Sequence, residues 1–98
     1  MPLNEVAKIW MDGELVDWHD AKIHVLTPTL HYGWGVFEGM RAYETERGPA
    51  VFQHRAHTER LFRSADILQM DVPYSVDELM DATRELIRLG AALADEPV

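Results

Sequence analysis

Between Leu30 and Tyr43 the chain gathers three glycines, four aromatic side chains and an arginine into fourteen residues. Gly33, Gly35 and Gly39 let the backbone take angles other residues avoid, or come close to a bound molecule. Tyr32, Trp34, Phe37 and Tyr43 add broad apolar faces. The combination suits one wall of a small-molecule pocket; it equally suits a tight loop buried against a partner. Neither reading leaves it a solvent-washed loop. Further along, Arg60 flanks an apolar stripe of helical spacing, one residue before Leu61. An arginine there can lay its stem on the core and aim its planar fork at a phosphate or carboxylate. The alternative is a surface arginine paired with Glu59 or Asp66.

Other polar residues offer less. His54 and His57 are three apart, a spacing compatible with a metal pair, but no third ligand follows at a convincing interval and zinc takes three or four. No metal site is assigned. Asp20 with His24, or His19 with His31, would form acid–base pairs only if the fold joined them. His31, beside the aromatic run, reads as a hydrogen-bonded structural residue. No nucleophile or general base completes an active site, so no catalytic residue is assigned within these residues.

These groups must be positioned by a small scaffold. Ninety-eight residues make one small domain of modest buried surface. The chain has no cysteine, which removes disulfides and thiolate metal sites and fits a reducing cytoplasm. No apolar run is long enough to span a membrane, and the N-terminus lacks the pattern of a signal peptide. A formal net charge of −8 argues against nucleic acid as a partner. The positive charge is nevertheless uneven: five of the seven arginines lie between Arg41 and Arg63, which suits an anionic small ligand, although composition alone favours scattered surface charge.

The elements read as strands followed by helices. Asp12-Gly13 between Lys8–Met11 and Glu14–Trp18 signals a two-residue hairpin. Ala21 to Leu26 is a candidate strand, broken by Thr27-Pro28-Thr29. Gly39 to Glu44 reads as a strand with Met40, Ala42 and Glu44 on one face and Arg41 and Tyr43 on the other. Arg47-Gly48-Pro49 turns it into Ala50-Val51-Phe52. A helix is expected from His54 to about Gln69, with Leu61, Phe62, Ala65 and Leu68 on one stripe. Ser75-Val76-Asp77-Glu78 is a capping box that opens a second helix, along which Val76, Leu79, Met80, Thr83, Leu86 and Ile87 recur. Gly90 is the expected stop. The fold class is α+β: an antiparallel sheet with two helices packed on one face. The other sheet face has no cover in these residues, and the chain stops just past a helix; both suggest a piece of something larger.

Tyr32-Gly33, then Val36-Phe37-Glu38-Gly39-Met40-Arg41-Ala42-Tyr43, then His57, Arg60-Leu61 and Ser64-Ala65 together resemble the branched-chain amino acid aminotransferases, pyridoxal-phosphate enzymes of fold type IV. The resemblance runs from about Ile9 to Arg88 and is similar to the family's small N-terminal domain, here residues 1–98. It implies that Arg60 contacts the cofactor phosphate, that Tyr32 and Phe37 line the pocket for the substrate's apolar side chain, and that Gly39 and Arg41 stand close to it. It implies substrates among leucine, isoleucine and valine, with glutamate and 2-oxoglutarate as the other pair, and a cytoplasmic homo-oligomer, dimeric or higher. It also places the Schiff-base lysine and the acidic partner of the pyridine nitrogen in a large domain with no counterpart here. Neither Lys8 nor Lys22 falls at the lysine's position, so these residues alone are expected to be inactive. Pro28 and Trp34 depart from the residues the resemblance leads one to expect. Two other readings remain: a stand-alone binding or assembly module of the same fold, and the small domain of a D-amino acid aminotransferase or aminodeoxychorismate lyase.

Overall fold

The computed structural model describes residues 6–93. Asp12 and Gly13 take φ of 52° and 89°, the paired positive angles that make a two-residue turn follow the twist of its strands. They join β1 (Lys8–Met11) to β2 (Glu14–Asp17), with Met11 opposite Glu14 and Lys8 opposite Asp17. Lys8 Nζ donates to Asp17 Oδ1 at 2.5 Å and closes the open end of the hairpin. The bond and charge of Lys8 hold the Asp17 carboxyl below its ordinary pKa.

The candidate strand from Ala21 to Leu26 does not form. A short 3-10 turn, Trp18–Asp20, follows β2. His24 then organises a local turn: its carbonyl accepts from the Thr27 N–H and hydroxyl, and its Nδ1 accepts from the Leu26 N–H. These local bonds satisfy groups that a strand would have offered to a neighbour, and among the described residues no strand pairs with this segment. The Thr27-Pro28-Thr29 break is also a beginning. Pro28 opens α1 (Pro28–Tyr32), where a first-turn residue has no need of an N–H. Gly33 ends α1 in the left-handed region, at φ 63°, with its N–H on the Thr29 carbonyl.

The segment after Gly33 has no regular structure until β3 (Ala42–Thr45), which pairs with β4 (Gly48–Val51) across Glu46-Arg47. The strand is shorter than the expected 39–44 and shifted along the chain. Its partner runs out: beyond Val51, opposite Ala42, only one more bond forms, from the Phe52 N–H to the Arg41 carbonyl. Gln53, at φ 51°, then turns the chain into α2 (His54–Ile67).

The antiparallel content is two separate hairpins in place of the single expected sheet. Each strand bonds only its sequence neighbour, and α3 (Val76–Leu93) touches α2, β1 and β4. The α+β class stands, with a helix instead of a ladder joining the strands. The capping box is formed: the Ser75 Oγ accepts from the Glu78 N–H and Glu78 Oε1 from the Ser75 N–H, each at 3.1 Å. Gly90 does not stop α3, which continues to Leu93. A helical glycine costs only about 1 kcal/mol, and the Ala91-Ala92 that follow are the best helix formers. The residues after Leu93 lie outside the described residues.

The described core is small. Ala65 and Met80 bury themselves between α2 and α3, with Thr58 1% exposed and its hydroxyl on the His54 carbonyl. Trp10 and Tyr74 meet edge to face, ring centroids 5.0 Å apart, fastening the first hairpin to the link before α3. Many large apolar side chains face outward instead, the pattern of a surface made to be covered.

Candidate anion and substrate-wall site

Glu38 lies in the irregular stretch between Phe37 and Gly39, and His57 and Arg60 are one turn apart on α2. All three converge. Arg60 Nη2 donates to Glu38 Oε1 at 2.5 Å and Nε donates to Oε2 at 2.9 Å, so the inner edge of the guanidinium grips both oxygens. His57 Nδ1 lies 2.9 Å from Oε1. A carboxylate only accepts, so the proton sits on Nδ1. The 3.3 Å approach of Arg60 Nη2 to His57 Nδ1 is then two donors sharing one oxygen. The Glu38 side chain is only 7% exposed while that of Arg60 is 59% exposed. The carboxylate is enclosed and the arginine reaches from it to solvent. The Arg60 hydrogen bonds, and after them that of His57, pull the Glu38 pKa from 4.5 to about 2. Glu38 raises the Arg60 pKa in turn. At neutral pH the pair is fully charged. The pairing of Arg60 with Glu59 or Asp66 does not occur; its carboxylate comes from twenty-two residues earlier.

Beside this cluster a cavity of about 290 Å³ is lined by Gln53, Ala56, His57, Arg60 and Arg63. No acidic side chain lines it. It sits on the first turns of α2, whose start carries no side-chain cap and whose macrodipole favours negative charge. Arg63 makes no hydrogen bond or ion pair among the described residues, and the outer Nη1–Nη2 edge of Arg60 reaches no other oxygen among them. Two arginines and an uncapped helix start form a donor set for an anion with several oxygens, a phosphate above all.

The rest of the expected site is arranged differently. Tyr32 ends α1 and is 84% exposed; Phe37 is 90% exposed. The Tyr32 ring stands edge-on to the neighbouring His31 ring, centroids 6.5 Å apart. Gly39 is open: a Cβ there would touch nothing. Arg41 is exposed just before β3, its carbonyl holding Phe52. The structure thus unites Arg60 with Glu38 and His57, and leaves Tyr32, Phe37 and Arg41 as outward groups. His54 and His57 do not act as a pair. His57 directs its Nδ1 at Glu38, while His54 Nε2 is buried without a partner. Burial, then the charges of Arg84 and Arg55, push the His54 pKa down. His31 bonds the Val25 carbonyl at 2.7 Å, as a structural histidine does.

Residues 35–93 match the sequence profile of the amino-transferase class IV family. This chain belongs to the amino-transferase class IV family. It is 62% identical over 80 residues to the branched-chain-amino-acid aminotransferase of Pseudomonas aeruginosa, covering 82% of this chain and 26% of that protein. It is also similar to solved structures. The Escherichia coli branched-chain amino acid aminotransferase superposes with a TM-score of 0.85 at 50% identity, covering 88% of this chain and 28% of that one. A second solved branched-chain amino acid aminotransferase, from T.th. and complexed with N-(5'-phosphopyridoxyl)-L-glutamate, gives 0.82 at 46%, covering 84% and 28%. The class IV chain therefore spans about a quarter of the length of the curated relatives it matches.

Two features of this class IV family chain escape a reading by local pattern. Glu38 was visible only as one letter of the motif; its partners are brought to it by the fold. Trp34 gives its indole N–H to the Leu68 carbonyl at 3.3 Å, and its own carbonyl accepts from the Thr29 hydroxyl at 2.7 Å. It ties the glycine-aromatic segment to the end of α2. The one sequence signal for the cluster was the i, i+3 spacing of His57 and Arg60.

Proposed function

We propose that this chain supplies the phosphate-facing and substrate-wall part of a pyridoxal-phosphate aminotransferase that exchanges an amino group between leucine, isoleucine or valine and 2-oxoglutarate. The observation that carries the reading is the Arg60 guanidinium, clamped on one edge and free on the other, at the basic cavity of α2. The donor set fits the phosphate of that cofactor in charge and in number of N–H groups. Bound pyridoxal phosphate supplies the electron sink for the transfer. Within this chain, Arg60 would hold the phosphate, with Arg63 adding positive charge beside it. Tyr32 and Phe37 present exposed apolar rings to the substrate's branched side chain and exclude water from it. Gly39, open on its Cβ side, and the exposed Arg41 two residues on complete the proposed wall.

The chain contributes no lysine to this cluster. Lys8 is spent on Asp17, and Lys22 lies in the irregular stretch after β2. The lysine that carries the cofactor belongs to the remaining three quarters of the enzyme. Rings as exposed as Tyr32 and Phe37 also need cover from that remainder or from a second subunit, which supports a homo-oligomer. The cysteine-free composition supports a cytoplasmic setting; no described helix is long and apolar enough to cross a membrane.

The test uses the purified holoenzyme that carries this chain. It should form glutamate from 2-oxoglutarate with leucine, isoleucine or valine as donor, while the 98-residue chain by itself should form none. A holoenzyme with bound cofactor that ignores all three donors overturns the substrate assignment. Leucine turnover by the 98 residues alone overturns the division of labour.

A further inference from the structure

Arginine is a poor anion trap when its side chain is free. Several torsions must be fixed as the anion arrives, and that ordering is subtracted from affinity. In this chain the ordering is complete beforehand. Glu38 takes the Nε and Nη2 edge of Arg60 in a two-point bond. His57 holds the same carboxylate from the side, and burial leaves the Glu38 side chain little freedom of its own. A planar guanidinium fixed along its Nε–Nη2 edge has its Nη1–Nη2 edge fixed too. That edge belongs to a residue lining the basic cavity.

We propose that Glu38 is a positioning residue: by clamping the inner edge of Arg60 and anchoring His57, it presets the outer edge of Arg60 for a phosphate monoester. The proposal rests on the reading of Arg60 as the phosphate contact. A carboxylate near an anion also repels it, and the two effects oppose each other. Positioning dominates because Arg60 lines the cavity while Glu38 does not, and the Arg60 side chain is open to screening solvent. Glu38 also prevents Arg60 from settling on one of the many other carboxylates of a chain with seventeen acidic residues.

The experiment compares two ligands that differ only in the phosphate. Apoenzyme carrying this chain is titrated with pyridoxal 5'-phosphate and with pyridoxal, followed by absorbance, for wild type, Glu38→Gln, Arg60→Ala and the double variant. Glu38→Gln should weaken the phosphorylated ligand roughly ten-fold, the scale on which loss of an orienting partner is felt, and leave pyridoxal within about two-fold. The double variant should bind no worse than Arg60→Ala, because Glu38 acts only through Arg60. If Arg60→Ala leaves pyridoxal 5'-phosphate affinity unchanged, the phosphate reading itself fails, and this inference with it. If Arg60→Ala weakens binding while Glu38→Gln binds equally well or more tightly, only the positioning role is overturned. Equal loss for both ligands in Glu38→Gln means general disorder and also overturns it. Should the Gln variant not fold, Glu38→Asp, which keeps the charge and shortens the reach, carries the same comparison and the same outcomes.

Discussion

Replacing Gly13 by alanine should show how firmly the first hairpin is tied to the helices that carry the site. Two independent costs meet at this position. The first is backbone: Gly13 holds φ at 89°, and a side chain forced into the left-handed half of the map costs about 1–2 kcal/mol. The second is space. The new Cβ would lie 3.1 Å from the Tyr74 hydroxyl oxygen, closer than ordinary contact. Tyr74 cannot simply swing away, since its ring stands edge to face on Trp10. Crowding of that kind adds about 1 kcal/mol, the low end for overpacking, because the site is at the surface. The sum is about 2–3 kcal/mol. In a domain of this size each kcal/mol moves the melting temperature by roughly 4–8 °C. The assay is thermal and urea unfolding followed by tryptophan fluorescence, in wild type and in a Tyr74→Phe background. With the hydroxyl gone the remaining neighbours are ring carbons at 3.7 and 3.8 Å, an ordinary separation. The cost of Gly13→Ala should then fall by about 1 kcal/mol, the coupling between the two sites. Gly13→Asn should keep the crowding and lose much of the strain, because asparagine tolerates positive φ. A Gly13→Ala effect within about 0.5 kcal/mol of zero would refute the strain argument. An undiminished cost in the Phe background would refute the crowding argument.

Two further predictions concern the ion cluster and the α3 cap. Glu38 titrates at 4.5 as an ordinary carboxyl and at about 2 in the fold. A depressed folded value means its contribution to stability is complete above pH 4.5 and drains away as pH falls through 2. The gap in urea midpoint between wild type and Glu38→Gln should therefore be constant at neutral pH and close between pH 4.5 and 2; a gap that persists below pH 2 contradicts the ion-pair origin. Ser75→Ala removes the hydroxyl that receives the Glu78 N–H and should cost about 1 kcal/mol, with faster hydrogen exchange in the first turn of α3. Unchanged exchange there means that the cap does not hold the turn.

Legibility in the sequence followed the range of the interaction. The Asp12-Gly13 turn, the Ser75–Glu78 box and the amphipathic face of α3 all depend on residues within four positions of one another, and all formed as expected. The misplaced elements each lost to a competing local bond or a missing partner. Ala21–Leu26 had strand-like residues, but His24 recruited the backbone into a turn. Residues 39–41 had strand-like alternation, but β4 ended opposite Ala42. Gly90 had the character of a stop, but its neighbours on both sides favoured helix. Tyr32, Phe37 and Arg60 stood out as unusual residue types in unusual places. Whether they formed core, interface or wall depended on distances that no local pattern contains.

Glu38 was the least legible of the functional residues, and the reason is physical. A lone carboxylate within a glycine-aromatic run has no periodicity to mark it, and its partners are nineteen and twenty-two residues away. Its position in the chain nevertheless has a consequence. Phe37 and Glu38 are consecutive, so the most exposed aromatic of the wall and the clamp on Arg60 share one peptide unit. The segment is pinned on the far side by Trp34 on Leu68, at the C-terminal end of the helix that carries Arg60 in its middle. A shift of this strip along α2 must move the apolar ring and the guanidinium edge together. In the proposed enzyme the distance between the phosphate anchor and the substrate wall is thereby set by one short stretch of backbone, held at both ends by α2. Substitutions at Trp34 should therefore reach substrate preference and cofactor affinity alike, although the indole itself stands at the end of α2 remote from the phosphate cavity.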